Sequence, residues 1–309
     1  YDVTFNGNTD ATVSKYTADG TTLEFACYIG GSSSDLTANL IANNNNELIL
    51  LVSTGSSNYP VTAGCIDNSL GGSTDMGITV LSADGSSLIG STYLGGSGEE
   101  GQAFTGWSGI QYGLLGELMV DDANNVYLAT FTASADFPIT PGAYQTTYGG
   151  GNWDGAVVKM NSNLSALTWS TYLGGGGQDL ALGIRIADDG TVYVCGGTES
   201  TNFPVTAGAY QTTPLGSTGG GPFGGGSPDG YAAQLSANGA NLLHSTFVNT
   251  SQSDIAFFLD LSKDGNVCLY GLTEGNFPVS PGVYSNANGK MLLVSLEPDL
   301  STLLYSTRI

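Results

Sequence analysis

Between residues 181 and 247, apolar and polar positions alternate in four short runs. These are ALGIRIA (181–187), TVYVCGG (191–197), DGYAAQL (229–235) and NLLHSTF (241–247). A period of two over so short a run marks a half-buried β-strand. DDG (188–190) separates the first pair of runs and ANG (237–239) the second. Asp-Gly and Asn-Gly accept the positive φ of a hairpin turn, so the four runs predict an antiparallel meander.

The same unit recurs along the chain. Tight first-to-second turns stand at 121–124 (DDAN) and 263–265 (KDG), and tight third-to-fourth turns at 18–20 and 83–85 (both ADG). The fourth run ends in STYLGG at 91–96 and 170–175, with relatives ACYIGG (26–31), STFVNT (245–250) and STRI (306–309). Asp10, Asp75, Asp154 and Asp229 open the third run, and Lys290 takes that place in the last unit. A four-stranded meander cannot bury both faces alone, and stacking copies around an axis does so. The expectation is an all-β chain, a β-propeller of four-stranded antiparallel blades, with a half blade at 1–35 and full blades at 36–94, 95–173, 174–248 and 249–309. Tyr1 aligns with Tyr144 and Tyr210, so the chain starts inside a unit and is expected to be a segment of a longer protein.

One string sits between the second and third strands of every full unit: YPVTAGCIDNS (59–69), FPITPGAYQTT (137–147), FPVTAGAYQTT (203–213) and FPVSPGVYSNA (277–287). Proline ends a strand because it cannot donate to the ladder, and it holds the preceding aromatic in extended geometry. Gly64, Gly142, Gly208 and Gly282 then let the chain turn back. Four equivalent joints require only four blades, whereas four equivalent sites require four ligands. The string is expected to be a joint.

Charge narrows the class of partner. The 309 residues carry 6 Lys and Arg against 27 Asp and Glu, a net charge of −21. Nucleic-acid binding requires the opposite balance, and anionic membranes are disfavoured for the same reason. No apolar run is long enough to span a bilayer, so direct membrane insertion is not expected. Cys27, Cys65, Cys195 and Cys268 lack metal-ligand spacing, and Cys195 and Cys268 fall on one face of equivalent strands, which argues for buried free thiols.

Together, STYLGG, VYV-G-T, FPVT-GAYQTT and D-AVVK resemble the SBBP repeat of bacterial proteins, the "seven-bladed β-propeller" repeat. The resemblance covers essentially the whole chain. It departs at NNNNELILL (43–51) and at VNTSQSD (248–254), where other units read LGGGGQD. The resemblance implies a secreted or surface-displayed bacterial protein, often part of a large multidomain chain, and no single activity or cofactor.

If the repeated parts are scaffold, binding belongs where units differ. Residues 97–113 are expected to lengthen a fourth-to-first connection and carry Phe104, Trp107 and Tyr112. Residues 213–228 lengthen a second-to-third connection and carry Phe223, and Tyr148 and Trp153 lie in the same connection one unit earlier. These aromatics are the candidate ligand-binding residues, for a surface glycan or another protein. The competing reading is that they plug the mouth or cover neighbouring blades.

Catalytic chemistry is sparse. Glu99 and Glu100 could form an acid–base pair, but a solvated loop pair is the expectation. His244, the sole histidine, aligns with Phe25, Gly90, Trp169 and Tyr305, and so reads as a packing ring. The Asp-rich turns (Asp121 with Asp122, Asp188 with Asp189) offer oxygen ligands to Ca²⁺ but lack the alternating spacing of a calcium loop. No other cofactor is expected. The reading is a non-enzymatic binding or adhesion module outside the cell or on its surface. A spacer or docking element is the alternative, and a polysaccharide-acting enzyme a remoter one.

Overall fold

In a computed structural model of the chain, residues 1–101, 104–105, 111–112, 116–216 and 227–309 are described. The described residues form strands and turns and contain no helix, and hence none long and apolar enough to cross a membrane. Strands β1 (Ala11–Tyr16) and β2 (Leu23–Ile29) make a two-stranded sheet. The first full blade is β3 (Asp35–Ala42), β4 (Leu48–Thr54), β5 (Asp75–Leu81) and β6 (Leu88–Leu94). A small hairpin follows, β7 (Phe104–Thr105) with β8 (Gln111–Tyr112). The second blade is β9 (Glu117–Val120), β10 (Val126–Thr132), β11 (Asp154–Met160) and β12 (Leu167–Leu173). The third is β13 (Asp179–Ile186), β14 (Val192–Thr198), β15 (Asp229–Leu235) and β16 (Leu242–Val248), and the fourth is β17 (Asp254–Leu261), β18 (Val267–Thr273), β19 (Met291–Leu296) and β20 (Leu303–Arg308). Each full blade pairs in chain order and antiparallel throughout, as the alternation predicts.

Both tight turns of each blade lie at one end, and the long connections lie at the other. We call these the turn end and the connection end. Positive φ recurs at the turn end, at Gly85 (70°), Gly239 (68°), Asn124 (62°) and Gly190 (82°). Two leucines share this conformation in third-to-fourth turns, Leu164 (56°) and Leu300 (57°), and both are fully buried. Left-handed geometry costs a leucine about 1–2 kcal/mol. Burying its side chain stabilises by about 1.5–3 kcal/mol, which outweighs that strain.

The core lies between blades. One cluster joins Ile49, Leu51, Met76 and Ile78 of the first blade to Leu118, Val126, Leu128 and Val158 of the second. Another joins Tyr127, Ala129 and Leu173 to Ala181, Val192 and Val194. The first strands of successive full blades lie side by side, β3 by β9, β9 by β13 and β13 by β17, and so line the inner side. This is a β-propeller arrangement. All four cysteines are free, and Cys27 and Cys195 are buried.

The repeated string behaves as a joint. Tyr59, Phe137, Phe203 and Phe277 are all buried in the interblade clusters. Beyond the proline, the string runs along the outer edge of its own blade's fourth strand. The backbone N–H groups of Thr62, Thr140, Thr206 and Ser280 donate to the carbonyls of Ser91, Ser170, Ser245 and Ser306 at 2.9–3.2 Å. In return the N–H groups of those serines donate to the string's hydroxyls at 2.9–3.0 Å. An open edge would present unpaired donors and acceptors, and the string closes it. It then crosses to the following blade, where Ile66, Tyr144 and Tyr210 donate to the carbonyls of Leu164, Gly239 and Leu300 at 2.8–3.0 Å.

Candidate functional site

At the connection end, acids stand in pairs between adjacent units, and all but Asp10 are buried. One member precedes or opens a third strand (Asp10, Asp75, Asp154, Asp229). The other opens the following first strand or stands in its place (Asp35, Glu100, Asp179, Asp254), always 25 residues later. Asp35, Glu100, Asp154, Asp179, Asp229 and Asp254 are at most 3% exposed.

A fixed frame holds the second member. The N–H four residues earlier donates to it, from Gly31 to Asp35 Oδ2 (2.7 Å), Gly96 to Glu100 Oε2 (3.3 Å) and Gly175 to Asp179 Oδ2 (2.7 Å). Hydroxyls at the end of the second strand or just beyond it complete the frame. Ser56 donates to Asp35 (2.8 Å), Thr132 and Ser134 to Glu100, and Thr198 and Ser200 to Asp179. The first member accepts an amide from the loop before it, as from Gly71 to Asp75 (2.8 Å), Gly149 to Asp154 and Leu215 to Asp229 (2.9 Å).

Glycine makes room for each of the first three pairs. A Cβ on Gly30 would stand 2.8 Å from both Asp10 Oδ1 and Asp35 Oδ2, and one on Gly174 would stand 2.7 Å from Asp179 Oδ2 and 3.1 Å from Asp154 Oδ1. The glycines of STYLGG therefore serve this close approach. Burial disfavours the charged forms. It pushes Glu100 and Asp154 up to about 7 and Asp179 and Asp254 up to about 6, and it raises Asp75 and Asp229.

Glu100 is thus no solvated loop residue. It occupies the place of Asp179, bridging Thr132 as Asp179 pairs with Thr198, while Glu99 accepts a hydrogen bond from the exposed Ser73 hydroxyl (2.8 Å). This alignment also moves the first insertion. Glu117 pairs with Ala129 as Gly183 pairs with Cys195. Residues 101–116 therefore stand in place of Leu180, Ala181 and Leu182, inside the innermost strand and not in the fourth-to-first connection. The register of the regular first strand already shifts between Ala181 and Gly183. Extra residues at such a bulge break few ladder bonds.

The six candidate aromatics divide. Trp107 and Phe223 lie outside the described residues, as do the side chains of Phe104 and Tyr112, whose backbones belong to β7 and β8. Tyr148 is half-buried, with its ring 5.7 Å from that of Tyr172, and burial raises its pKa. Trp153 is half-buried beside Phe131 at 6.3 Å, against a cluster with Leu180, Leu182 and Ile255. Trp153 thus packs against residues of the following blades, whereas the ring contact of Tyr148 is with its own blade's fourth strand.

At the turn end, Asp121, Asp122 and Asp188 line one cleft of 380 Å³ with Tyr127 and Lys159. Asp121 caps its own turn through Asn125 and pairs with Lys159 at 3.2 Å, and Asp189 accepts from Thr191 (2.9 and 2.6 Å). Asp121 and Asp189 are engaged in turn formation, and no three His, Cys, Asp or Glu side chains among the described residues group as metal ligands. Arg185 ties three first strands together, reaching Glu117 (2.7 Å) and Asp260 (3.3 Å). His244 is half-buried at the position from which Trp169 packs on Gly239.

No family model and no curated protein sequence matches the chain. Among solved structures it is similar to a thermostable family-43 glycoside hydrolase, at 10% identity over 89% of this chain and 75% of that one, with a TM-score of 0.35. It is also similar to a europium-containing methanol dehydrogenase, at 9% identity over 97% and 59%, with a TM-score of 0.40. A quinohemoprotein alcohol dehydrogenase, ADHIIG from Pseudomonas putida HK5, matches at 10% identity over 88% and 53%, with a TM-score of 0.30. The chain spans less than two thirds of either dehydrogenase. Likeness at this level bears on neither activity nor ligand. The class rests on the blades themselves, and the chain is a β-propeller.

Proposed function

We propose that the chain is a non-enzymatic binding or adhesion module of a secreted or surface-displayed protein, which grips a surface glycan through loops at its connection end. The observation that carries this reading is where the repeat breaks. Residues 101–116 interrupt the innermost strand after Glu100, and residues 213–228 expand a connection at the same end, while the string and acid frame recur around them. A rigid frame with variable loops at one end is a common arrangement for recognition. Trp107, Tyr112, Phe104 and Phe223 supply rings for stacking on sugars. The resemblance to the SBBP repeat supports display outside the cell.

A docking role is the second reading, favoured by the face of the fourth blade turned away from the third. There Phe258 is 58% exposed and stacks on Tyr270 at 6.2 Å, with Met291 alongside. Binding of the labelled chain to a polysaccharide array and to a panel of candidate proteins separates the readings. Saturable glycan binding lost in Trp107→Ala or Phe223→Ala, with unfolding unchanged, supports the first. Protein binding lost in Phe258→Ser, with no glycan bound, supports the second.

A further inference from the structure

The acid pairs differ in what faces inward. Asp75 Oδ1 and Glu100 Oε2 converge on Gly95, where an added Cβ would stand 2.7 and 2.6 Å from them. At the next interface, Asp154 Oδ1 is fully buried without a hydrogen-bond partner and points, with Asp179 Oδ2, at the bare Cα of Gly174. At the one after, Asp229 Oδ1 and Asp254 Oδ1 are both buried and unpartnered.

Asn249 supplies an observation that does not depend on acids. It stands where the other interfaces have Gly30, Gly95 and Gly174, the position whose Cβ would lie against both acids of a pair. Its Nδ2 donates to the Thr213 carbonyl (3.2 Å), while Oδ1, in a residue 1% exposed, has no partner. A proton can satisfy two carboxylates but gives nothing to a carboxamide oxygen. Hard oxygen donors drawn from carboxylates and a carboxamide are what calcium takes, with carbonyls and water completing its six to eight ligands.

We propose that a divalent cation of the calcium type is held between blades by Asp229, Asn249 and Asp254. The ion lies between the sheets, so it staples neighbouring blades at the end that carries the variable loops. The acidic turns at the opposite end take no part.

The test titrates the chelator-treated full chain with calcium chloride alone, by calorimetry at near-neutral pH in physiological salt, with thermal unfolding followed in parallel. Saturable binding and a raised unfolding midpoint are expected. Asp229→Asn and Asp254→Asn should each remove the bound ion. Asn249→Gly restores the residue used elsewhere and should weaken binding at its interface on the order of tenfold. That variant keeps the test decisive should an aspartate variant fail to fold. No saturable heat and no shift in midpoint would overturn the proposal. So would unchanged stoichiometry in the aspartate variants, or unchanged affinity in Asn249→Gly.

Discussion

The carbonyl of Leu164 accepts the backbone N–H of Ile66 at 3.0 Å, and the two residues belong to adjacent blades. Leu164 makes this contact from a left-handed backbone (φ 56°) while its side chain is fully buried in the cluster that joins those blades. Gly239 and Leu300 accept from Tyr144 and Tyr210 in the same way one and two blades on. A glycine would relieve the strain there, so the leucine is retained for its packing.

Replacing Leu164 with glycine sets these terms against each other. Strain relief gains about 1–2 kcal/mol, whereas emptying a buried leucine site costs about 2–5 kcal/mol. With strain of up to about 2 kcal/mol relieved, denaturant unfolding should show a net loss of up to about 4 kcal/mol. A stabilised variant would mean that the interblade cluster contributes less than its burial indicates.

The joint reading of the repeated string is tested at Thr206. Its hydroxyl accepts the Ser245 N–H (2.9 Å) and its backbone N–H donates to the Ser245 carbonyl (3.1 Å). Thr206→Val leaves the Ser245 N–H without its partner and should cost about 1–3 kcal/mol. Binding of any surface ligand should be unchanged once folding is complete. Lost affinity with unfolding unaltered would make the string a site.

Glu100 predicts an unusual dependence on pH. Burial pushes its carboxyl up to about 7, and Asp75, the charged group facing it, shifts in the same direction. The folded chain therefore keeps a proton that the unfolded chain releases near 4.5. The associated stability is fully present below that value and is lost as pH rises through about 7. In the absence of calcium the loss should be on the order of 3 kcal/mol, and Glu100→Gln should flatten it. Chemical denaturation at a series of pH values checks this, and stability that rises over the window contradicts it.

Architecture was legible because it is written several times. Alternation, Asp-Gly turns and STYLGG define four strands in each unit, and the unit repeats. The string's role follows from its proline and its recurrence. Leu164 and Leu300 in left-handed turns were not legible, since no local rule favours leucine there and only the interblade core explains it. The candidate site was half legible. Asp10, Asp75, Asp154 and Asp229 stood out as strand openers, but their partners did not, although the constant interval of 25 residues was available as a signal. Glu100 concealed the pattern, because one glutamate beside another reads as a solvated pair. The place of residues 101–116 depended on strand register, which pairing alone reveals.

If recognition belongs to what interrupts the repeat, removing the interruption removes binding and leaves the fold. The direct measurement replaces residues 101–116 with the Leu-Ala-Leu of 180–182, which restores a regular first strand between Glu100 and Glu117, and compares glycan binding and unfolding with those of the parent. The expected result is an unfolding midpoint equal to or above the parent's and binding reduced at least about tenfold, or about 1.4 kcal/mol. Undiminished binding in a folded variant would contradict it and place recognition elsewhere on the propeller.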